Sequence, residues 1–183
     1  GCMPVVELNG IHINYEEHGS HYGAPILLTH AFAATLQMWN PQFEALRDYR
    51  VIGWDMRGHG GTDSPPSQED YSEKLTVEDM ASLLRHLGIK QAVIGGLSLG
   101  GYISLEFQLA HPDMVRALIL CNTGPGYRKL GGRVVDLAEI GAKQNARDHE
   151  PDDRQEDERE RSADQQPVEK AHFLLKRLLD IPH

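Results

Sequence analysis

Four short, largely apolar runs set the strongest limit on what this chain can become: PILLTH (25–30), YRVIGWD (49–55), QAVIGGLS (91–98) and VRALILCNT (115–123). Strands that are buried on both faces read as near-continuous apolar runs, not as alternating ones. Segments with helical spacing lie between these runs. QMWNPQFEALRD (37–48) carries Trp39, Phe43 and Leu46 on one helical face, and TVEDMASLLRHLGI (76–89) carries Val77, Met80, Leu83, Leu84 and Leu87. GGYISLEFQLAHP (100–112) reads as a third helix, ended by Pro112. In the second helix, Thr76 and Asp79 read as a capping box and Gly88 as the stop. Strands alternating with helices imply an α/β fold, with a mostly parallel sheet and helices on both faces.

The two ends of the chain differ from this middle. VVEL (5–8) and IHINYEEHG (11–19) alternate apolar and polar residues around Asn9-Gly10, a pair suited to the positive φ values of a tight hairpin turn. The hairpin adds antiparallel strands at one edge, which makes about six strands in all. After Thr123 the composition shifts. Between Ile140 and Val168 there is no Val, Ile, Leu, Met, Phe, Trp, Tyr or Cys, and residues 147–161 hold eight acids and four arginines. Such a segment cannot bury a core; it reads as disordered or as a solvated helix with i,i+4 charge pairs. VEKAHFLLKRLLDI (168–181) then reads as an amphipathic helix that needs a surface to dock on. The expected organisation is a core over residues 1–126 and an atypical charged, helical segment over 127–183.

At 183 residues the chain suits one domain with a real core. Its net charge of −9 argues against nucleic acid or an anionic membrane as partner. Cys2 lies in a Gly1-Cys2 leader ahead of Met3, and Cys121 ends an apolar run as a buried free thiol. Neither suggests a disulfide framework or a metal site. There is no signal peptide and no apolar run long enough to span a bilayer, so the expectation is a cytoplasmic protein without metal or cofactor.

The chemistry concentrates at GGLSLGG (95–101). Gly96-Leu97-Ser98-Leu99-Gly100 fits G-x-S-x-G and lies between a strand and a helix, the context in which that motif presents a nucleophile. Small residues permit a tight turn that lifts the Ser98 hydroxyl out of the sheet toward a helix N-terminus, where N–H groups favour developing negative charge. A strand–turn–helix with glycines that merely ease packing would read the same, so neighbouring signals have to decide. His30-Ala31-Phe32 follows a strand expected beside that of Ser98. Its backbone N–H groups, with that of Leu99, suit an oxyanion hole worth roughly 3 kcal/mol per donor. His30 and Ala31 are expected to touch substrate, although His30 also suits a bond to its own backbone. Asp55 and Arg57, in DMRGHGGTD (55–63), are expected to tie down a glycine-rich loop.

LLTHAFAATLQMW, WDMRGHGGTDSPP and GGLSLGGYISLEFQLAHPDMVRALILCNT, at their spacing, resemble the α/β-hydrolase superfamily, and most of all its esterase and enol-lactonase branch. The resemblance runs from about Val5 to about Gly126. It implies Ser98 as nucleophile and Phe32 and Leu99 as oxyanion donors. Ala31 departs from the glycine usual after the histidine, which shifts the loop a little. Serine at position 98 disfavours the dehalogenase branch, whose elbow carries aspartate.

A serine hydroxyl needs a general base and the base needs an orienting acid. The resemblance implies that both come from loops after two further strands, yet nothing after Thr123 reads as such a strand. The chain therefore resembles a hydrolase that stops after its sixth strand and carries an unrelated tail, natural or frameshifted. His172, beside the apolar stripe of the last helix, is the candidate base. His149 reads as solvated and His183 as frayed, and Asp136, Glu139, Asp148 and Asp180 stand as unranked orienters. An apolar strand 115–123 left at a sheet edge calls for cover. That predicts a homo-oligomer, with C-terminal segments exchanged between chains and a neighbour able to supply the base. Three functions follow: a serine hydrolase on carboxylic esters or lactones, an inactive truncated hydrolase fold acting as a binding module, and a fold with weak residual esterase activity.

Overall fold

The structure, a computed structural model, describes residues 4–123. Six strands form one sheet: β1 (Val5–Leu8), β2 (Ile11–Gly19), β3 (Pro25–Thr29), β4 (Arg50–Trp54), β5 (Ala92–Leu97) and β6 (Val115–Cys121). Their order is β1-β2-β4-β3-β5-β6. β1 pairs antiparallel with β2, and β2 with β4; the β4–β3, β3–β5 and β5–β6 pairs are parallel. The hairpin turn takes the expected form, with Asn9 at φ 52° and Gly10 at φ 77°.

This order fixes where a site belongs. From β3 the chain moves to β4 on one side, and from β5 it moves to β6 on the other. The carboxyl ends of β3 and β5 therefore flank a topological switch point, where open α/β sheets form a crevice for ligands.

Among the described residues three α-helices cover the sheet: α1 (Asn40–Ala45), α2 (Glu73–His86) and α3 (Leu99–Ala110). Val77, Met80, Leu83 and Leu84 of α2 and Ile103 and Phe107 of α3 pack with Leu27, Ile52, Trp54 and Ile94 on one face. On the other face Trp39 and Phe43 pack with Ile26, Leu28, Val51 and Val93. Each fully buried side chain of this kind stabilises by about 1.5–3 kcal/mol, so both faces hold the fold.

Two local expectations need correction. The segment 37–48 is not one helix: a 3-10 turn spans Leu36–Trp39, and α1 begins at Asn40 with Pro41 in its first turn. Proline has no N–H to carry an incoming helical ladder onward, so the helix is reset there. Thr76 and Asp79 do not cap α2. Ser72 does, accepting from the Leu75 N–H at 3.1 Å, while the Thr76 hydroxyl donates to the Ser72 carbonyl. Asp79 is committed elsewhere, as shown below. The predicted stop holds: Gly88, at φ 70°, donates to the Arg85 carbonyl and Ile89 to that of Leu84. That is the bond pair of a Schellman C-cap.

No helix of the described residues is long and apolar enough to cross a membrane.

Candidate active site

β5 ends at Leu97 and α3 begins at Leu99, so Ser98 alone makes the turn. It does so at φ 51° and ψ −111°, a conformation that non-glycine residues rarely adopt. Such backbone costs about 1–3 kcal/mol and persists only where its surroundings hold it. Here the Ser98 N–H donates to the Cys121 carbonyl at 3.0 Å, and the Ser98 carbonyl accepts from the Tyr102 N–H at 3.0 Å. Both main-chain groups are tied down. The residue is exposed, and among the described residues its hydroxyl has no hydrogen-bond partner and does not cap the helix.

The flanking glycines are required by close approach. A Cβ on Gly96 would lie 2.2 Å from the Gly100 carbonyl carbon. A Cβ on Gly100 would lie 2.2 Å from the Thr29 oxygen and 2.6 Å from the His30 oxygen. The first turn of α3 thus rests directly on the end of β3, and Ser98 is brought beside the segment that follows β3. The Leu99 N–H, at the start of the helix, has no acceptor within it.

That segment is a tight turn over residues 31–34, closed by the Ala34 N–H donating to the Ala31 carbonyl at 3.1 Å, with Ala33 at φ 57°. Its N–H groups are nearly all spent. Ala31 donates to Met38 Sδ at 3.4 Å and Ala33 to His59 Nε2 at 3.3 Å. The Phe32 N–H is left without a partner among the described residues, and the Phe32 side chain is 75% exposed. Among the described residues the two N–H groups expected as oxyanion donors, those of Phe32 and Leu99, have no partner, and they follow the adjacent strands β3 and β5.

The His30 side chain is fully buried. Nδ1 lies 2.7 Å from the Ala31 carbonyl, and Nε2 accepts from the Met56 N–H at 3.0 Å. An incoming N–H needs a lone pair on Nε2, so the proton sits on Nδ1 and the ring is neutral. Burial holds its pKa below the ordinary histidine value, assisted by His59 and opposed by the Ala31 bond and by Asp55. Its work is to anchor the turn. Ala31 is half-buried.

The 55–63 loop braces the site from the other side. Asp55 Oδ1 accepts from the Leu36 N–H at 2.7 Å, and Oδ2 accepts from Asn14 Nδ2 at 2.8 Å and the Gly61 N–H at 2.9 Å. Arg57 donates to Asp79 through Nε at 2.7 Å and Nη2 at 2.9 Å, a two-pronged pair with both side chains buried. Asp55 and Arg57 are structural, as read from the sequence. What sequence reasoning missed is His59, the contact that ties this loop to Ala33; its only signal was a histidine set between the glycines of RGHGG.

Among the described residues no imidazole bonds to the Ser98 hydroxyl. His149, His172 and His183, with Asp136, Glu139, Asp148 and Asp180, lie outside the described residues.

Comparison with known proteins agrees with this fold. The family described as "alpha/beta hydrolase fold" matches residues 24–166. A Bacillus subtilis (strain 168) protein with the provisional name 2-succinyl-6-hydroxy-2,4-cyclohexadiene-1-carboxylate synthase is 31% identical over 133 residues, 73% of this chain and 48% of that protein. The bifunctional epoxide hydrolase 2 of Rattus norvegicus is 39% identical over 116 residues, 62% of this chain and 21% of that protein. Among solved structures, the enol-lactonase of Burkholderia xenovorans LB400 superposes with a TM-score of 0.62 at 32% identity, covering 66% of this chain and 46% of that one. A mutant epoxide hydrolase of Vigna radiata gives 0.66 at 31% identity, covering 75% and 43%. The chain spans less than half the length of each of these relatives.

Proposed function

The chain belongs to the alpha/beta hydrolase fold family, and on that premise we propose that it is a serine hydrolase acting on carboxylic esters or lactones through an acyl-enzyme on Ser98. The observation that carries the reading is the elbow itself. A strained, exposed Ser98 lies at the switch point of the sheet, and among the described residues neither its hydroxyl nor the Phe32 and Leu99 N–H groups have a partner.

Each group then has a task. The Ser98 oxygen attacks the acyl carbon while its proton passes to a base, for which His172 is the candidate, from the same chain or a neighbour. The carbonyl oxygen takes negative charge in the space offered by the Phe32 and Leu99 N–H groups, each worth roughly 3 kcal/mol when the charge develops. The bond to the leaving alcohol breaks as the base returns the proton to it. Water then attacks the acyl-enzyme, freeing the acid and restoring the hydroxyl.

Chemistry at position 98 also separates ester from epoxide. A serine oxygen that opened an epoxide would form an ether, which water at the same site cannot hydrolyse. Attack on an acyl group forms an ester, which water can. Turnover through Ser98 therefore favours acyl substrates, whatever names the epoxide hydrolases among its relatives carry.

The test is turnover of short p-nitrophenyl esters and of a panel of small lactones by the whole chain, with Ser98→Ala and His172→Ala beside it. The expected result is activity abolished by Ser98→Ala and lowered about 10²–10⁴-fold by His172→Ala. Activity indifferent to Ser98→Ala, or no activity above water, would overturn the reading and leave a hydrolase fold that serves as a binding module.

A further inference from the structure

The turn that presents the Phe32 N–H and the loop that follows β4 are joined by two histidines, each reaching into the other's backbone. His30, at the end of β3, takes the Met56 N–H on its Nε2 at 3.0 Å. His59, from the second loop, takes the Ala33 N–H on its Nε2 at 3.3 Å. In both rings Nδ1 faces a carbonyl oxygen: that of Ala31 at 2.7 Å for His30, and that of Arg57 at 3.2 Å for His59. The two ring centroids are 4.8 Å apart.

We propose that His59 is a positioning residue for the oxyanion turn, holding Ala33 through its Nε2 lone pair so that the Phe32 N–H stays unpaired and presented to Ser98. The catalytic part of this statement rests on the hydrolase reading above; the contact and the tautomer stand without it.

Three features give His59 this role. First, its own main chain is fixed. The His59 N–H donates to the Met56 carbonyl at 2.9 Å, and its carbonyl accepts from the Thr62 N–H at 3.1 Å. The next residue, Gly60, packs so closely on Asp55 that a Cβ there would lie 2.2 Å from the carboxylate. The ring is therefore carried on a loop held by hydrogen bonds on both sides of His59. Second, the Ala33 N–H belongs to a residue at φ 57°, where the chain needs a partner to keep a non-glycine residue in place. Third, the ring makes a T-shaped contact with the Phe32 ring at a centroid distance of 6.0 Å, so the same side chain touches both central residues of the turn. His30 secures the start of the turn; His59 secures its middle. An N–H donor can be accepted only by an unprotonated nitrogen, so the arrangement requires His59 neutral with its proton on Nδ1.

The experiment uses the whole chain and two variants. His59→Phe keeps a ring against Phe32 but has no acceptor, while His59→Gln keeps an acceptor at about the reach of Nε2. Nitrogen-15 spectra of the native protein are expected to show His59 as the neutral Nδ1–H tautomer. Hydrogen exchange of the Ala33 amide is expected to quicken in His59→Phe and to return toward native in His59→Gln. On a p-nitrophenyl ester, His59→Phe is expected to lower kcat about 10- to 10²-fold with KM within about twofold, and His59→Gln to recover most of it. An Nε2–H tautomer, or Ala33 exchange unchanged in His59→Phe, overturns the proposal. So does an unchanged kcat in a protein whose turnover depends on Ser98. Absence of such turnover in the native chain would sink the hydrolase reading alone, because the spectroscopic arm still decides His59.

Discussion

Replacing Ser98 by glycine is expected to make the protein more stable than replacing it by alanine. Both variants lose the hydroxyl, so their difference reports the backbone alone. Ser98 and an alanine in its place must adopt φ 51° and ψ −111°, at about 1–3 kcal/mol. Glycine reaches that region freely but gives the unfolded chain more freedom, which costs about 0.4–1 kcal/mol. No side-chain cap is lost, because the Ser98 hydroxyl does not cap α3. The balance favours glycine by about 1 kcal/mol, within a range of roughly 0–2.5. For a chain of this length that raises Tm by about 2–4 °C. Urea unfolding and thermal melts of the two variants, run together, measure the difference. A glycine variant less stable than the alanine one would refute the claim that the elbow stores backbone strain.

Three further outcomes follow from the same structure. Gly100→Ala forces a Cβ to 2.2 Å from the Thr29 oxygen; it is expected to destabilise by about 1–3 kcal/mol in urea and to lower ester turnover, since α3 must lift off β3. Asp79→Asn leaves the Arg57 guanidinium buried without its counter-charge and is expected to cost about 3–5 kcal/mol, whereas replacing both by apolar residues is expected to cost less than that single change. The third concerns pH. Burial lowers the His30 pKa from an ordinary 6.5. Above that value both folded and unfolded states leave the ring neutral, and its contribution is complete. As pH falls below it the unfolded chain takes up the proton first, so stability drops. Unfolding free energies measured between about pH 7 and about pH 5 are expected to fall less steeply in His30→Gln than in the native protein.

Much of this architecture was legible because it rests on local rules. The apolar runs at 25–30, 49–55, 91–98 and 115–123 each became a strand, and Asn9-Gly10 turned the hairpin as its φ preferences require. G-x-S-x-G announced the elbow because two close backbone approaches admit only glycine. What was misread depended on partners distant in sequence. Thr76 and Asp79 have capping-box spacing, but Asp79 is claimed by Arg57 at 2.7 Å, and the cap falls to Ser72. The bond from the Met56 N–H to His30 joins residues 26 apart, and only the fold shows both ring nitrogens engaged with backbone. His59 could not be assigned because its partner, Ala33, lies 26 residues earlier. The candidate base was illegible for a different reason. A base is recognised by its distance to the nucleophile, and spacing along a charged segment carries no such information.

An activated Ser98 nucleophile reacts with electrophiles that ordinary serines ignore. The most direct measurement treats the whole chain with a fluorophosphonate, follows its intact mass, and maps the adduct by peptide sequencing, with Ser98→Ala as control. One adduct per chain is expected, on Ser98, absent from Ser98→Ala, and slowed when a short ester competes. A chain that stays unlabelled, or one labelled equally in Ser98→Ala, would contradict it.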